Sequence, residues 1–498
     1  MKDEVVARQI LRSLTTKRSL FWERERQVRP LALFHRAARE VPAYRDFLKK
    51  NRIDPAKIKT FADFQAIPPV SKKEYLRQYP LESLVWGGTL EKPMVFTSTS
   101  GSTGKPFYFP RERRLDWQSS ILHEFFLRNN SRGMGGSTLA IVGFGMGAWI
   151  GGLITYKAFE IADERGAGTA IITPGSNKTE VLTVLRELAP QFDNVILAGY
   201  PPFVKDVLDE AEEEGIRLAR LNLRLLFAAE SFSEAFREHV ARQAGIKNIH
   251  RDTLNVYGTA DIGTMAHETP TAILMRRLAI GHRGLFRSFF SEITRTPTLA
   301  QYHPRFITFE APGGNILLTG DNTIPLVRYA IGDHGGVWSF DDAMEAMRSA
   351  GISWKREVER ADIMKQITEL PFVYVYERAD LSTKIYGAII YPEHIKAPLF
   401  APAFRKEITG KFVLATRTDA RHNEYLEVKI ELKRGRAPSP ALAEKLQQVI
   451  VKNLLKLNAE YQYLYGLMPQ RVTPKIIFCQ YEDPRCFRSG VKQKWVEK

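Results

Sequence analysis

At 498 residues the chain exceeds what one hydrophobic core usually supports, and 44% hydrophobic with 26% charged residues is the balance of a soluble globular protein of two or more domains. Only two cysteines occur, Cys479 and Cys486; their spacing fits no common zinc site and no disulfide framework is possible elsewhere, so a reducing cytoplasm is the simplest setting. The net charge of +16 is uneven, with sixteen Lys/Arg against seven Asp/Glu in residues 1–60. That segment reads as a solvated helical leader, or alternatively as a docking surface for an acidic partner such as a carrier protein or a membrane face. No helix-turn-helix, zinc-finger or aromatic RNA-binding signature accompanies the charge, so a nucleic-acid partner is not expected.

The N-terminus lacks the apolar core of a secretory signal. Residues 1–90 read as helices separated by turns at Val41-Pro42, Asp54-Pro55 and Ile67-Pro68-Pro69. A strand over 93–97 then runs into a Ser/Thr/Gly loop. The uncharged stretch 134–156 is long enough to raise a membrane span, but its glycines break it into a strand, a turn and a helix start, so none is expected. Short apolar runs at 139–142, 169–172, 195–197, 223–228 and 254–257 alternate with helical segments such as 178–188 and 203–214, the second closed by Gly215. This alternation predicts parallel α/β layering. Strands over 315–319 and 325–329 flank a Thr-Gly-Asp-Asn turn, and a charged helical insert follows at 341–369. Beyond Asp380 the pattern becomes α+β, with strands near 412–416, 425–432 and 473–478 and a helix over 439–457.

The loop carries the strongest chemistry. Phe96-Thr-Ser-Thr-Ser-Gly-Ser-Thr-Gly-Lys-Pro106 gathers Thr97, Ser98, Thr99, Ser100, Gly101, Ser102, Thr103, Gly104 and Lys105. Glycine lets backbone N–H groups approach an anion, the hydroxyls add donors, and the lysine adds a point charge, a combination suited to polyphosphate. A Walker loop is excluded, because Thr99 stands where its first glycine belongs and Pro106 where its magnesium-binding hydroxyl belongs.

This loop, with the motifs that follow it in order, resembles the adenylate-forming superfamily of acyl-CoA synthetases and adenylation enzymes, and within it the phenylacetate–CoA ligase and CapK-like branch. The resemblance covers most of residues 90–400. Ala228-Ala-Glu-Ser-Phe-Ser233 is similar to the adenine-contacting strand end, which implies nucleotide contacts from Ala229 and Glu230. Tyr257-Gly-Thr-Ala-Asp261 resembles the motif whose tyrosine stacks on adenine; Tyr257, Gly258 and Thr259 are thereby implied in ATP binding and Asp261 in holding Mg²⁺. Ala260 and Asp261 depart from its hydroxyl residue and glutamate. Pro325–Asp333 resembles the segment whose final aspartate, here Asp333, accepts both ribose hydroxyls; an ionised carboxylate has oxygens enough for both. Arg378 and Asp380 match the hinge, although Glu377 and Leu381 stand where the family has glycine and aspartate. A catalytic lysine is implied near the C-terminus, with Lys492 preferred over Lys494.

The family fold implied is α/β: a large N-terminal domain of layered α/β subdomains with a small mobile α+β C-terminal domain. Its divisions would be a helical segment (1–90), an ATP- and acid-binding unit (91–379) and a lid (380–498). The activity implied is ATP-dependent activation of a small carboxylic acid as an acyl-adenylate, Lys105 attending the leaving pyrophosphate, followed by transfer to coenzyme A. A carrier-protein thiol or an amine is an alternative acceptor, a degenerate nucleotide-binding protein a further alternative, and a homodimer is compatible. Phe144, Trp149 and Tyr200 suggest an acid pocket for a flat substrate. His123-Glu124 and His267-Glu268 fit no metal or triad motif and read as surface or core residues.

Overall fold

The computed structural model describes residues 2–496 except 93, 99–105, 134, 148–149, 292–295, 377–381, 400, 405, 482, 484–485 and 487–495, and only the backbone of 2, 202, 393, 396, 397 and 402. The basic leader forms the helices Lys2–Thr16, Ser19–Glu40 and Pro42–Lys50, the last begun by a proline whose missing N–H costs nothing in a first turn. Trp22 is fully buried. Arg18 donates to Glu369 at 2.6 Å and the Ser19 N–H to the same carboxylate at 2.9 Å. Part of the leader's charge is therefore met within the chain, by the segment that also holds the helices Phe340–Ser349 and Trp354–Ala361.

A two-residue strand, β1 (Val70–Ser71), follows, then an antiparallel hairpin of β2 (Val95–Ser98) and β3 (Tyr108–Arg111) in which Ser98 faces Tyr108. Its arms flank the Ser/Thr/Gly loop, of which 99–105 lie outside the described residues. Next come β4 (Thr138–Val142), β5 (Thr169–Ile172), β6 (Asn194–Gly199), β7 (Leu223–Ala228) and β8 (Thr253–Thr259), parallel in the order β5-β4-β6-β7-β8. Strands covered on both faces read as unbroken apolar runs, which is why the alternation was legible. Leu139, Ile141, Val195 and Leu197 face the helix Pro201–Glu213, while Ala140, Val142, Ile196 and Leu226 face Phe126 and Phe159 on the opposite side. The uncharged stretch 134–156 is divided between β4, a turn and the helix Ile150–Asp163, and no helix among the described residues is long and apolar enough to cross a membrane.

The sheet continues antiparallel through β9 (Gly263–His267), β10 (Thr298–Gln301), β11 (Ile307–Glu310), β12 (Asn315–Gly320), β13 (Leu326–Trp338) and β14 (Phe372–Tyr376), in the order β11-β12-β13-β14-β10-β9-β8. The β12–β13 hairpin forms where the Thr-Gly-Asp-Asn turn placed it. Strand β13 runs on past Asp333, so Gly332-Asp333 lies inside a strand, and β1 pairs with β13 through Tyr329 and Ala330. That pairing, invisible in a two-residue run, brings the N-terminal segment to the sheet.

A smaller α+β unit follows: a hairpin of β15 (Thr383–Ile385) and β16 (Ala388–Ile390), and a sheet of β17 (Ile408–Thr418), β18 (Glu424–Leu432) and β19 (Lys475–Cys479) covered by the helix Pro440–Leu457. Ile385 and Tyr386 share one apolar cluster with Phe203 and Val204 of the large unit. Beyond β19 a disulfide joins Cys479 to Cys486, and Val496 bridges to Leu414 on β17.

Candidate active site

In open α/β sheets ligands gather at the carboxyl ends of the parallel strands. A cavity of about 710 Å³ lies there, beyond β7 and β8. Ala229, the residue that leaves β7, has φ +74°, a left-handed conformation costing a side-chain-bearing residue about 1–2 kcal/mol. The turn is held from both units. Lys384 Nζ donates to the Ala229 carbonyl at 2.5 Å, the Gly387 N–H donates to the Glu230 carboxylate, and Asn255 Nδ2 donates to the Glu230 carbonyl at 3.2 Å. On β8 the Tyr257 hydroxyl donates to Asp333 Oδ2 at 2.6 Å, bringing together the two residues assigned to adenine and ribose. Gly258, Thr259 and Ser98 line the same cavity. Thr97, on β2, is buried.

Beneath this wall lies a buried ion cluster. Arg237, fully buried, meets both oxygens of Glu268 (2.8 and 2.7 Å) and also Glu234, which Arg276 shares. The surrounding arginines hold the Glu234 carboxyl down at about 2 despite its burial. Glu268 in turn accepts the Asn255 N–H at 3.1 Å, and Arg276 Nη2 donates to the Phe232 carbonyl at 2.7 Å. The His267-Glu268 pair is thus core, as expected, but core that fixes the floor of the cleft.

Asp261 is 6% exposed. Its Oδ1 accepts from Lys72 Nζ at 2.9 Å and its Oδ2 from the Tyr329 hydroxyl at 2.5 Å. Nothing in sequence pointed to Lys72; it arrives through the β1–β13 pairing. Each carboxylate oxygen keeps a lone pair beyond these contacts, and Mg²⁺ bound through phosphates needs only one or two protein carboxylates, so Asp261 fits that role as a single ligand beside a fixed ammonium.

The other half of the cavity is mostly apolar. Phe144 and Tyr200 meet edge to face with ring centroids 5.2 Å apart, and Ile150, Ile154 and Leu226 continue the wall. Trp149 lies outside the described residues. Gly263 has φ +78°, and a Cβ there would sit 2.8 Å from Ile154 Cδ1, so a side chain would strain the turn and crowd this wall. His123, read from sequence as surface or core, is buried at the cavity wall.

The small unit closes the cleft with Lys384, Ile389, Thr416 and Glu460. Tyr386 donates to Asp206 Oδ2 at 2.7 Å, and Gly387, at φ +88°, lies so close beneath Tyr200 that a Cβ would approach its ring to 2.7 Å. Burial pushes the Glu460 carboxyl up to about 7. The residues from Thr99 to Lys105, the hinge pair Arg378 and Asp380, and both Lys492 and Lys494 lie outside the described residues.

No protein-family model matches the chain. Phenylacetate-coenzyme A ligase from Thermus thermophilus is 23% identical over 224 residues, 45% of this chain and 46% of that protein, so the match spans about half the relative's length. A crystal structure of 2-hydroxyisobutyryl-CoA ligase with 2-HIB-AMP and CoA, in the thioesterification state, covers 98% of this chain and 91% of its own at 16% identity, with a TM-score of 0.63. The same ligase in its postadenylation state has equal coverage and identity, and a TM-score of 0.50. By its large and small units and the order of its strands, the chain has the fold of the adenylate-forming acyl-CoA ligases, and over 224 residues its sequence is similar to that of a phenylacetate-coenzyme A ligase.

Proposed function

We propose that the protein is an AMP-forming acid–thiol ligase. The observation that carries the reading is the meeting of Tyr257 and Asp333 beside the strained Ala229 turn, under a second unit that reaches in through Lys384 and Gly387. A flat purine fits against backbone and the Tyr257 ring, and a carboxylate such as that of Asp333 is the group that accepts ribose hydroxyls. The acid's carboxylate, approaching from the Phe144 side, attacks the α-phosphorus of ATP and expels pyrophosphate, giving an acyl-adenylate. A thiol then takes the acyl group and releases AMP.

The protein supplies position and charge rather than a nucleophile. Lys105 and the hydroxyls of Thr99–Thr103 carry the pyrophosphate, Lys492 (or Lys494) bridges the carboxylate and the α-phosphate, and Asp261 would hold Mg²⁺, whose chemistry is to neutralise phosphate charge. The small unit turns about Asp380, with domain limits at 1–90, 91–379 and 380–498. Coenzyme A is the acceptor proposed first; a carrier-protein thiol or an amine remains the alternative. Cytoplasmic placement and a possible homodimer belong to the same reading.

The ion pair Lys72–Asp261 favours a second reading, a nucleotide-binding protein without turnover, because it neutralises the carboxylate assigned to the metal. ATP–pyrophosphate exchange over a panel of carboxylic acids separates the two, and mass detection of a thioester on adding CoA identifies the acceptor. ATP binding without exchange for any acid would sink the ligase reading. Lys492→Ala is expected to abolish exchange while the melting temperature stays within about 2 °C of wild type; full activity would move the role to Lys494.

A further inference from the structure

An acyl-adenylate laid along the cleft has its reactive carbonyl carbon where the acyl and nucleotide halves meet. The hairpin of β15 and β16 marks that junction: Gly387 lies against the Tyr200 ring of the acyl wall and donates its N–H to Glu230 at the nucleotide turn. Two residues on, the Ile389 N–H donates to Oε2 of Glu460 at 3.4 Å, and both residues line the cavity. Glu460 comes from the helix Ala459–Leu467 of the small unit. It is half-buried, and its Oε1 makes no hydrogen bond among the described residues. That oxygen is not among their buried, unpaired polar atoms either, so it keeps accessible surface. The other carboxylates lining the cavity are differently placed. Asp261 accepts from Lys72 and Tyr329, Asp333 from Tyr257 and Glu230 from Gly387, while Glu424 has its Oε2 buried.

A thiol attacks as its anion, yet an ordinary thiol, ionising near about 8.5, is only a few per cent ionised at neutral pH. The second half-reaction therefore gains from a base that ionises close to the operating pH within reach of the incoming S–H. Burial without a bonded cation raises a carboxyl toward that range, and Glu460 stands at about 7. The groups facing it are the Lys384 ammonium from β15, the Ile389 N–H from β16 and the Tyr200 phenol from the large unit. On the acid–thiol ligase reading, we infer that Glu460 is the general base of the thiol-transfer step. Its carboxylate takes the S–H proton as the C–S bond forms and the bond from the acyl carbon to the phosphate oxygen breaks, releasing the thioester and AMP. The proton then passes from Glu460 to solvent. Adenylation involves no thiol and does not call on this base.

Two readouts on the full chain separate this role from the ligase reading. ATP–pyrophosphate exchange with the best acid of a panel reports adenylation. Rapid-quench formation of the thioester, after CoA is added to enzyme preloaded with ATP and that acid, reports transfer. The second-order rate constant of wild-type transfer should rise with pH and level off, with an inflection near 7. Glu460→Gln keeps an acceptor for the Ile389 N–H but cannot take a proton. It should lower the ratio of transfer to exchange by about tenfold or more at pH 7 and lose the inflection, its rate climbing on toward the thiol's own ionisation above about 8. Glu460→Asp, a shorter base, should transfer faster than Glu460→Gln. A ratio that falls by less than about tenfold, or an inflection that survives in Glu460→Gln, overturns the inference and leaves acid activation intact. A wild-type profile with no inflection below the thiol's own ionisation overturns it whether or not the variants fold. Exchange without transfer to CoA or any other thiol also refutes it, and no exchange with any acid refutes the ligase reading on which it rests.

Discussion

The two halves of the cleft are built differently. On the proposed reading the nucleotide half is built on a fixed turn, the end of β7 with its left-handed Ala229 and the Glu230 carbonyl, and on three side chains, Glu230, Tyr257 and Asp333, the last two bonded to each other. The acyl half of that reading is made from side chains on the helices Arg113–Arg128 and Ile150–Asp163 and on the strands below them, mostly apolar with His123, Thr155 and Thr264 among them. A purine and a triphosphate are invariant ligands, so a fixed backbone serves them. An acid pocket must differ between enzymes that share one reaction, and helix side chains can change without disturbing the sheet.

Substitutions in the shared floor, then in each half, test this division. Arg237→Ala leaves Glu268 and Glu234 without their central cation and should cost about 3–5 kcal/mol of unfolding free energy by denaturant titration, damaging both halves together. A loss confined to one half, with stability preserved, would show that the cluster is not common support. Asp333→Ala should lower kcat/KM for ATP about 10- to 100-fold while leaving the ranking of acids unchanged. Phe144→Ala should do the reverse, re-ranking acids by about 10- to 100-fold with little change in KM for ATP; a shared response to both would merge the halves.

The smallest effect concerns the closing unit. Glu460 holds its proton more tightly when folded, up to about 7 against an ordinary value near 4.5. The folded state is therefore favoured at low pH, and that advantage fades as pH rises from about 4.5 through about 7. Glu460→Gln should remove this slope and stabilise the protein on the order of 1–2 kcal/mol at pH 8, with no gain at pH 4, as read from melting curves. An unchanged pH profile would mean that the carboxyl is hydrated in the closed cleft.

How much was legible follows the same division. The five parallel strands declared themselves because strands covered on both faces leave uninterrupted apolar runs, and the β12–β13 hairpin because its turn residues mark it. Tyr257 and Asp333 were legible because their neighbouring residues form motifs tied to a constant ligand. The placing of His123 was not: a histidine in a helix looks the same in sequence whether it is buried or exposed, and only the structure packs it against Phe159. Lys72 was hidden for another reason, since it reaches Asp261 across 189 residues through a strand of two.

By itself the sequence determined the α/β layering and the change to an α+β segment, and it pointed to Tyr257 and Asp333, which the fold brings together, because periodicity and short motifs are local properties of the chain. Only the tertiary structure decided that the basic leader meets Glu369, that a lysine neutralises Asp261 and that His123 is buried against Phe159. These depend on which distant segments become neighbours, and on the desolvation that gives an unpaired atom its significance.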